Sequence, residues 1–413
     1  MDRRLLILWL TIFIDLLGFS IFIPVVPYFA KELHASDTII TLSAAVFSVM
    51  VFLCSPIWGS ISDRYGRRPV IVSAIILSAI SYVIFAHATS IALLFASRIL
   101  TGIGSGNIAA AQAYVSDITP PKDRAKRIGL IVGASFGMAF AFGPAVGGII
   151  FHRFGVEAVG YFAVALCLLN LLGVFTLLPE TLKVKDTTRK INFKPIASTF
   201  ASLKDTRFRD IFLIGFVYIT AFSMMNVTIS LLWKDHFALS VEQTGLMFSM
   251  VGILSAISQG GLVGVFNRTL GEKKMMIYGC ILVGVGLAAI PFVPVGLRDE
   301  VGSIVPMNWI FIVCSLIPMA MLSIGNACLN PSLVSILSRK ADPHEQGEVM
   351  GQNQGFGSMG RVLGPAIAGP LYTLGYGLPF WVAGAIMLGT LTLIFNYLRT
   401  NYTPITSVPF KAD

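Results

Sequence analysis

The sequence predicts an all-α, polytopic membrane protein of twelve transmembrane helices arranged as two pseudo-symmetric six-helix halves. Apolar stretches long enough to cross a bilayer recur along the 413-residue chain. Hydrophobic residues make up 55% of the sequence and charged residues only 12%, and the charges are concentrated between the apolar stretches. What remains outside them is too short for a separate soluble domain, so the composition disfavours an enzyme with a catalytic ectodomain.

A helical crossing of a hydrocarbon core about 30 Å thick requires about 20 apolar residues. We predict crossings one to twelve, in chain order, at residues 5–30, 39–61, 69–88, 91–116, 127–151, 158–178, 210–233, 242–266, 274–297, 308–337, 347–373 and 377–398. The longest polar segment separates crossing six from crossing seven. The predicted organisation is therefore an N-terminal half (1–178), a linker (179–209), a C-terminal half (210–398) and a tail (399–413).

The distribution of basic residues predicts the orientation. With a cytoplasmic N-terminus, 24 of the 30 Lys and Arg residues fall on the cytoplasmic side and only 4 on the outer side. The positive-inside rule then places both termini in the cytoplasm. The short loops and the lack of an outer glycosylation loop favour a bacterial inner (plasma) membrane. The net charge of +9 thus reflects topology rather than nucleic-acid binding. The five cysteines all fall within crossings without metal-ligand spacing, so no metal or cofactor is predicted.

Several short patterns recur in the two halves at a nearly constant offset. The matches, shifted by 219 or 221 residues, are Gly106-Asn107 with Gly325-Asn326, Val115-Ser116 with Val334-Ser335, Asp123 with Asp342, and Gly143-Pro144-Ala145 with Gly364-Pro365-Ala366. Their common register indicates an internal duplication. Duplicated six-helix halves that rock about a site near the bilayer midplane are an architecture of secondary transporters.

Crossing one contains Asp15, the only carboxylate well inside a predicted crossing. A carboxyl group at this depth changes its protonation with its surroundings, so a proton and a cationic substrate could compete for it. Phe19 and Phe22 follow at i+4 and i+7, on the same helix face. A purely structural aspartate, capped by backbone groups, is the alternative.

The loop between crossings two and three combines small, acidic and basic residues at fixed spacing, namely Gly59, Asp63, Arg64, Gly66, Arg67 and Arg68. It resembles, at every position, the signature loop of the major facilitator superfamily, Gly-x-x-x-Asp-Arg/Lys-x-Gly-Arg-Arg/Lys. The second half has only an incomplete copy of this motif, with Asn267 in the place of the acid. We expect Asp63, the three arginines and Asp117 to form a cytoplasmic latch between the two halves that favours the outward-open state. Topogenic charge alone is the alternative.

Crossings four and five carry two further motifs. Arg98 and Gly102 resemble the superfamily's Arg-x-x-x-Gly motif. An arginine inside a membrane costs about 2.5 to 3.5 kcal/mol on insertion scales, so it should face a partner or a wet cavity unless it snorkels outward. The segment Gly143, Pro144, Ala145, Val146, Gly147 and Gly148 resembles the antiporter motif of drug/proton antiporters, although the family's upstream glycines are replaced by Leu130 and Ala139. Pro144 and the glycines predict a bendable seam against the other half; generic membrane-helix Gly/Pro is the alternative.

The region from Asp15 to Pro27, the Leu178-Pro179-Glu180-Thr181 segment and the region from Leu337 to Gly347 look like the tetracycline-efflux branch of these antiporters. The resemblance covers nearly the whole chain and implies the major facilitator fold. One departure concerns crossing nine, which lacks the acid that tetracycline pumps carry there. Asp15 is left as the expected proton site, with Arg98 or Arg361 as its internal counter-charge.

The resemblance also implies which residues line a substrate cavity, because helices one, four, seven and ten line it in such proteins. The candidates are Asp15, Phe19, Phe22, Arg98, Asn107, Gln112, Tyr218, Phe222, Met225, Asn226, Asn326 and Asn330, joined by Arg361 of crossing eleven. Aromatic and methionine side chains with a few amides suit bulky, amphipathic molecules. Ordinary packing is the competing interpretation for each aromatic residue.

The sequence therefore predicts a monomeric, non-enzymatic transporter that works by alternating access and drives export of small amphipathic compounds with protons. A proton-coupled transporter of a metabolite or a lipid-like molecule is the runner-up. A membrane-embedded enzyme would need paired catalytic residues or a metal cluster, and a non-transporting receptor would need no intramembrane acid.

Overall fold

The computed structural model describes residues 3–105, 107–119, 124–182, 199–200, 202–294, 309–342 and 345–400. Its α-helices, in chain order, are Arg3–Ser20, Phe22–Glu32, Asp37–Tyr65, Arg67–Ala86, Ile91–Gly104, Asn107–Ile118, Arg124–Leu177, Arg209–Asp235, Val241–Ile257, Val263–Ala289, Trp309–Lys340, Gln346–Leu374 and Leu378–Thr400. Eight stretches of these helices are long and apolar enough to span a membrane, and two shorter apolar helices accompany them. The described residues contain no strand, and the predicted all-α, twelve-crossing class is confirmed.

Several crossings differ in detail from the predicted ranges. Crossings five and six lie in one helix, Arg124–Leu177, which changes direction at Gly155, where φ is +81°. Crossing one is interrupted at Ile21, because Pro24 has no N–H to donate to the carbonyl group of Ser20. Crossing four is built from two helices, and crossing eight continues through a π-helical turn, Ser258–Leu262, to a break at Gly271. Most of the predicted linker and of the predicted tail lies outside the described residues.

The same pairs of crossings pack in both halves. Crossing one packs on five, three on four and six, while seven packs on eleven and nine on ten and twelve. The two halves meet where crossing two packs on eleven and crossing five on eight. These pairings are related by the exchange of halves that the internal duplication predicts. A continuous cluster of buried apolar side chains runs through both halves.

Alternation of the crossings places the linker at the end of the bundle that carries Arg67 and Glu180. We call this end the linker side and the other end, which carries Lys31 and Asp235, the opposite side. Glu180, which follows crossing six, contacts the backbone at the start of crossing three, so both lie on the linker side.

Candidate functional site

The aromatic residues of crossing one pack into the N-terminal half. Phe22 is only 2% exposed; its ring stacks on Tyr82 at 4.7 Å between centroids and meets Phe85 edge-on at the same distance. Phe19 stacks on Phe47 of crossing two, with centroids 5.2 Å apart. Two residues expected in the cavity are therefore engaged with neighbouring crossings, and Phe22 is enclosed by its own half.

Arg98 lies behind this aromatic layer. It is 5% exposed, and its guanidinium carbon lies 5.4 Å from the ring centroids of both Phe22 and Phe85. Its Nε and Nη2 atoms have no hydrogen-bond partner, and no carboxylate of the described residues forms an ion pair with it. Cation–π attraction, worth about 2 kcal/mol when water is excluded, is the visible compensation for burying this charge.

Tyr82 connects Arg98 with Asp15. Both charged groups lie within electrostatic range of the Tyr82 hydroxyl, and a Cβ atom added at Gly18 would lie 3.8 Å from that hydroxyl oxygen. Asp15 is half-buried and also influences the thiol of Cys167 on crossing six. We call Asp15, Tyr82 and Arg98 the Tyr82 cluster. Tyr82 was not predicted as a site residue from the sequence; a tyrosine within the apolar crossing three was the available signal.

Other expected cavity residues lie at different depths of the bundle. Tyr218 is buried and donates its hydroxyl proton to Oδ1 of Asn326, which joins crossing seven to crossing ten. Met225 is buried and Phe222 is partly buried, with its ring 6.1 Å from that of Tyr218. The remaining amide candidates with described side chains are exposed, namely Gln112, Asn226 and Asn330. Asn107 begins a helix, but its side chain lies outside the description.

Small residues of crossing five form a seam with crossings one and eight. An added Cβ at Gly147 would lie 2.1 Å from the carbonyl oxygen of Ile21, and one at Gly143 would overlap Ser20 of crossing one. Gly148 faces the other half, where a Cβ would meet the Val241 carbonyl oxygen at 2.6 Å. Gly245 of crossing eight in turn packs on crossing five, because a Cβ at Gly245 would lie 2.2 Å from the Pro144 carbonyl oxygen. The motif thus packs backbone against backbone on both sides.

Polar contacts close the opposite side across the two halves. The Tyr28 hydroxyl donates to the Leu239 carbonyl oxygen at 2.6 Å and lies 2.7 Å from the Thr244 hydroxyl. Lys31 bridges Asp37 of its own half and Asp235 of the other, at 2.6 and 3.2 Å. We call these six residues the opposite-side gate. The sequence analysis missed it, although oppositely charged residues at the ends of crossings one and seven were a usable signal.

The signature loop folds around Arg67 on the linker side. Arg67 Nη1 donates to Asp63 and, at 2.7 Å, to Ser62 Oγ, while its Nε donates to Asp117 at 3.1 Å. Arg64 instead lies over the ring of Tyr65, and Arg68 donates to the Phe175 carbonyl oxygen. Nothing approaches within 4 Å of a Cβ built at Gly59. Asp63 and Asp117 therefore share one arginine in this conformation.

Glu180 holds the loop from the end of crossing six. Its carboxylate accepts hydrogen bonds from the backbone N–H groups of Arg67, Arg68, Thr181 and Leu182 at 2.9–3.1 Å. Burial opposes its ionisation, but the four N–H donors hold the pKa of Glu180 below its usual range. Gly66 has φ +119°, and a Cβ there would lie 2.5 Å from Glu180 Oε2. The motif glycine is thus required by both the turn and its carboxylate cap.

The incomplete copy of the signature loop in the C-terminal half forms a related turn, in which an acidic residue takes the place of Arg67 and a basic residue is its partner. Gly271, with φ +70°, takes the turn position of Gly66. Glu272 follows it, as Arg67 follows Gly66, and accepts hydrogen bonds from Arg339 and from Ser335 at 2.7 Å. Alignment of the motif on Asn267 did not reveal this pair, because the acid lies after the turn glycine instead of before it.

Comparison with known proteins agrees with this geometry. The family profile described as Major Facilitator Superfamily matches residues 8–320 and 211–413. The chain belongs to this superfamily. It is 30% identical over 388 residues to Multidrug resistance protein 2 of Bacillus subtilis, covering 93% of the chain and 92% of that protein. It is 28% identical over 398 residues to the class C tetracycline resistance protein of Escherichia coli, covering 94% of each.

A solved structure of the human organic anion transporter MFSD10 aligns with a TM-score of 0.70 at 25% identity, covering 95% of this chain and 99% of that one. The structure of the nucleoside transporter NupG aligns with a TM-score of 0.74 at 15% identity, covering 96% and 99% of the two chains, which shows the shared fold alone. The major facilitator superfamily fold and the tetracycline-efflux resemblance are therefore confirmed. The relatives are transporters, so the chain is a transporter and not an enzyme.

Proposed function

We propose that this chain is a secondary active transporter that works by alternating access and exports small amphipathic compounds in exchange for protons. The observation that carries the proposal is the Tyr82 cluster. Asp15 is a half-buried carboxyl group at membrane depth, and Tyr82 connects it electrostatically to an arginine without an acid partner among the described residues. Gain or loss of one proton at Asp15 changes the balance of charge against Arg98.

Alternating access has a physical basis in the contacts between the halves. The opposite-side gate and the glycine contacts of crossings five and eight join the halves away from the linker side. With the positive-inside orientation, the linker side is cytoplasmic, and this conformation is closed on the outside. Substrate release to the outside then requires the halves to rock about the seam at Gly147 and Gly148 and to break the opposite-side gate.

The direction and the class of substrate are supported by the relatives. Multidrug and tetracycline resistance proteins match more than nine-tenths of the chain. The partly exposed ring of Phe222 and the exposed amides suit amphipathic molecules of varied shape. We further propose an inner (plasma) membrane location, cytoplasmic termini and a monomeric working unit.

The proposal is tested by transport in proteoliposomes with an imposed pH gradient, with tetracycline and ethidium as probes. Wild-type protein should accumulate at least one probe against its gradient, and accumulation should cease when the pH gradient is collapsed. Asp15→Asn should lose this uphill accumulation while retaining probe exchange, because the amide keeps the volume and cannot titrate. Glu157→Gln is the matched control, since it removes an exposed carboxylate between crossings five and six.

Uphill accumulation by Asp15→Asn at the wild-type rate would remove Asp15 as the coupling site. Wild-type transport that is indifferent to the pH gradient would overturn proton coupling itself.

A further inference from the structure

Arg361 is the only charged side chain in the interior of a crossing of the C-terminal half. Every Asp and Glu of that half lies at an end of a crossing or outside the crossings. The hydrogen bond of Arg361 is to a neutral group, Ser358 Oγ, at 3.0 Å from Nη2. No carboxylate of the described residues forms an ion pair with Arg361 or acts on it electrostatically. A cation at this depth is expensive without a counter-charge, and the described residues do not supply one.

The packing of crossing eleven shows which way Arg361 faces. Gly360 packs on crossing seven, where an added Cβ would lie 3.0 Å from the Phe216 carbonyl oxygen. Gly369 packs on crossing two, where a Cβ would lie 2.8 Å from the Thr38 Cα atom. Leu363 is exposed on the outer surface of the bundle, roughly 160° around the helix axis from Arg361. Arg361 therefore lies between the two packed faces and away from lipid.

The space that Arg361 faces lies between the two halves. Its side chain is partly exposed, and because its face points away from lipid, this exposure is to the interior of the bundle. Gln354, two turns nearer the linker side, lies on the same face and is exposed. Gly357, one turn before Arg361, packs on crossing seven, since a Cβ there would lie 2.8 Å from Ile219 Cδ1 and 3.7 Å from Arg361 Nη1. The face thus offers a planar cation and an amide.

We propose that Arg361 binds an oxyanion of the transported compound, such as a carboxylate, an ionised enol or a sulfonate. The inference rests on the proposed transport function, because it assigns Arg361 to the cargo rather than to the proton. A guanidinium presents a fork of N–H donors that matches two oxyanion oxygens, and a single bond to Ser358 leaves donors of that fork unused.

The test is binding to purified protein in detergent without any gradient, with dansylglycine and its methyl ester as probes. The two share one aromatic group and differ in the carboxylate. Wild-type protein should bind the acid more tightly than the ester. Arg361→Gln should weaken binding of the acid roughly tenfold to a hundredfold, the usual range for loss of a charged hydrogen-bond partner, and leave the ester unchanged. Arg361→Lys should lie between them.

Arg399→Gln is the matched control, because it removes a positive charge at the exposed end of crossing twelve. It should change neither affinity. Failure of wild-type protein to prefer the acid to its ester overturns the proposal, as does equal weakening of both probes by Arg361→Gln, which would indicate a structural role. If Arg361→Gln does not fold, as judged by gel filtration, unchanged binding of the acid by Arg361→Lys overturns the proposal instead. Failure of the pH gradient to drive transport leaves this binding result intact, so the two proposals fail separately.

Discussion

Removal of one hydroxyl group from the opposite-side gate should shift the protein toward the conformation that is open on that side. In the closed conformation the Tyr28 hydroxyl is 2.6 Å from the Leu239 carbonyl oxygen and 2.7 Å from the Thr244 hydroxyl, and all of these groups are buried. Tyr28→Phe leaves two buried groups without this partner, whereas opening the gate exposes them to water. An unsatisfied buried polar group costs about 1 to 3 kcal/mol.

A change of this size, placed entirely on the closed state, shifts a two-state equilibrium about fivefold to 150-fold. The ring of Phe retains the apolar packing of Tyr28, so the shift isolates the polar contacts. The assay is the distance distribution between spin labels at Thr89→Cys and Thr373→Cys, which are exposed on the opposite side in the two halves. Tyr28→Phe should move the population toward the longer distance and change the rate of probe transport.

Tyr161→Phe is the control for this experiment. Its hydroxyl lies 2.8 Å from Nε2 of His87, within the same half and at an exposed position, so its loss should leave the distance distribution unchanged. An unaltered distribution in Tyr28→Phe would refute the view that these hydrogen bonds keep the opposite side closed.

Three further predictions concern charged residues of the N-terminal half. Arg98→Ala should reduce transport at least about tenfold. Arg98→Lys should restore transport only in part, because an ammonium lacks the planar guanidinium face that lies over two rings. Full activity in Arg98→Ala would contradict this prediction. Asp63→Asn should slow turnover by populating the inward-open form, and the measurement is increased labelling of cysteines on the linker side. Unchanged labelling and turnover would mean that the loop acts only as a topogenic signal. Because the pKa of Glu180 is lowered, its cap should stabilise the N-terminal half above pH about 4.3 and be lost as the pH falls further. Glu180→Gln should therefore make the melting temperature less dependent on pH in the acid range. At neutral pH it should lower the melting temperature by the equivalent of about 1 kcal/mol of stability. An unchanged melting curve would exclude a stabilising cap.

Crossing number and the class of fold followed from the sequence, because a bilayer imposes a fixed apolar length on each helix. The internal duplication was also readable, since the tripeptide at Gly143 and its copy at Gly364 occupy equivalent crossings. The structure explains why small residues recur there. A Cβ at Gly143 would meet Ser20 of crossing one, and a Cβ at Gly364 would meet Ser223 of crossing seven. Local sequence is sufficient here because the requirement is steric and identical in both halves.

Which side chains meet across the bundle was decided by tertiary structure alone. Helical spacing placed Phe22 on the face of Asp15, but only the folded bundle places its ring on Tyr82 of crossing three and beside Arg98 of crossing four. The bridge from Lys31 to Asp235 joins residues 204 positions apart, and no periodicity encodes such a pair. The sequence by itself determined how many helices cross the membrane and which charges enter it. Only the packed bundle decided that Arg98 is enclosed by aromatic rings and that Arg361 faces the space between the halves, because both outcomes depend on helix rotation and on partners distant in the chain.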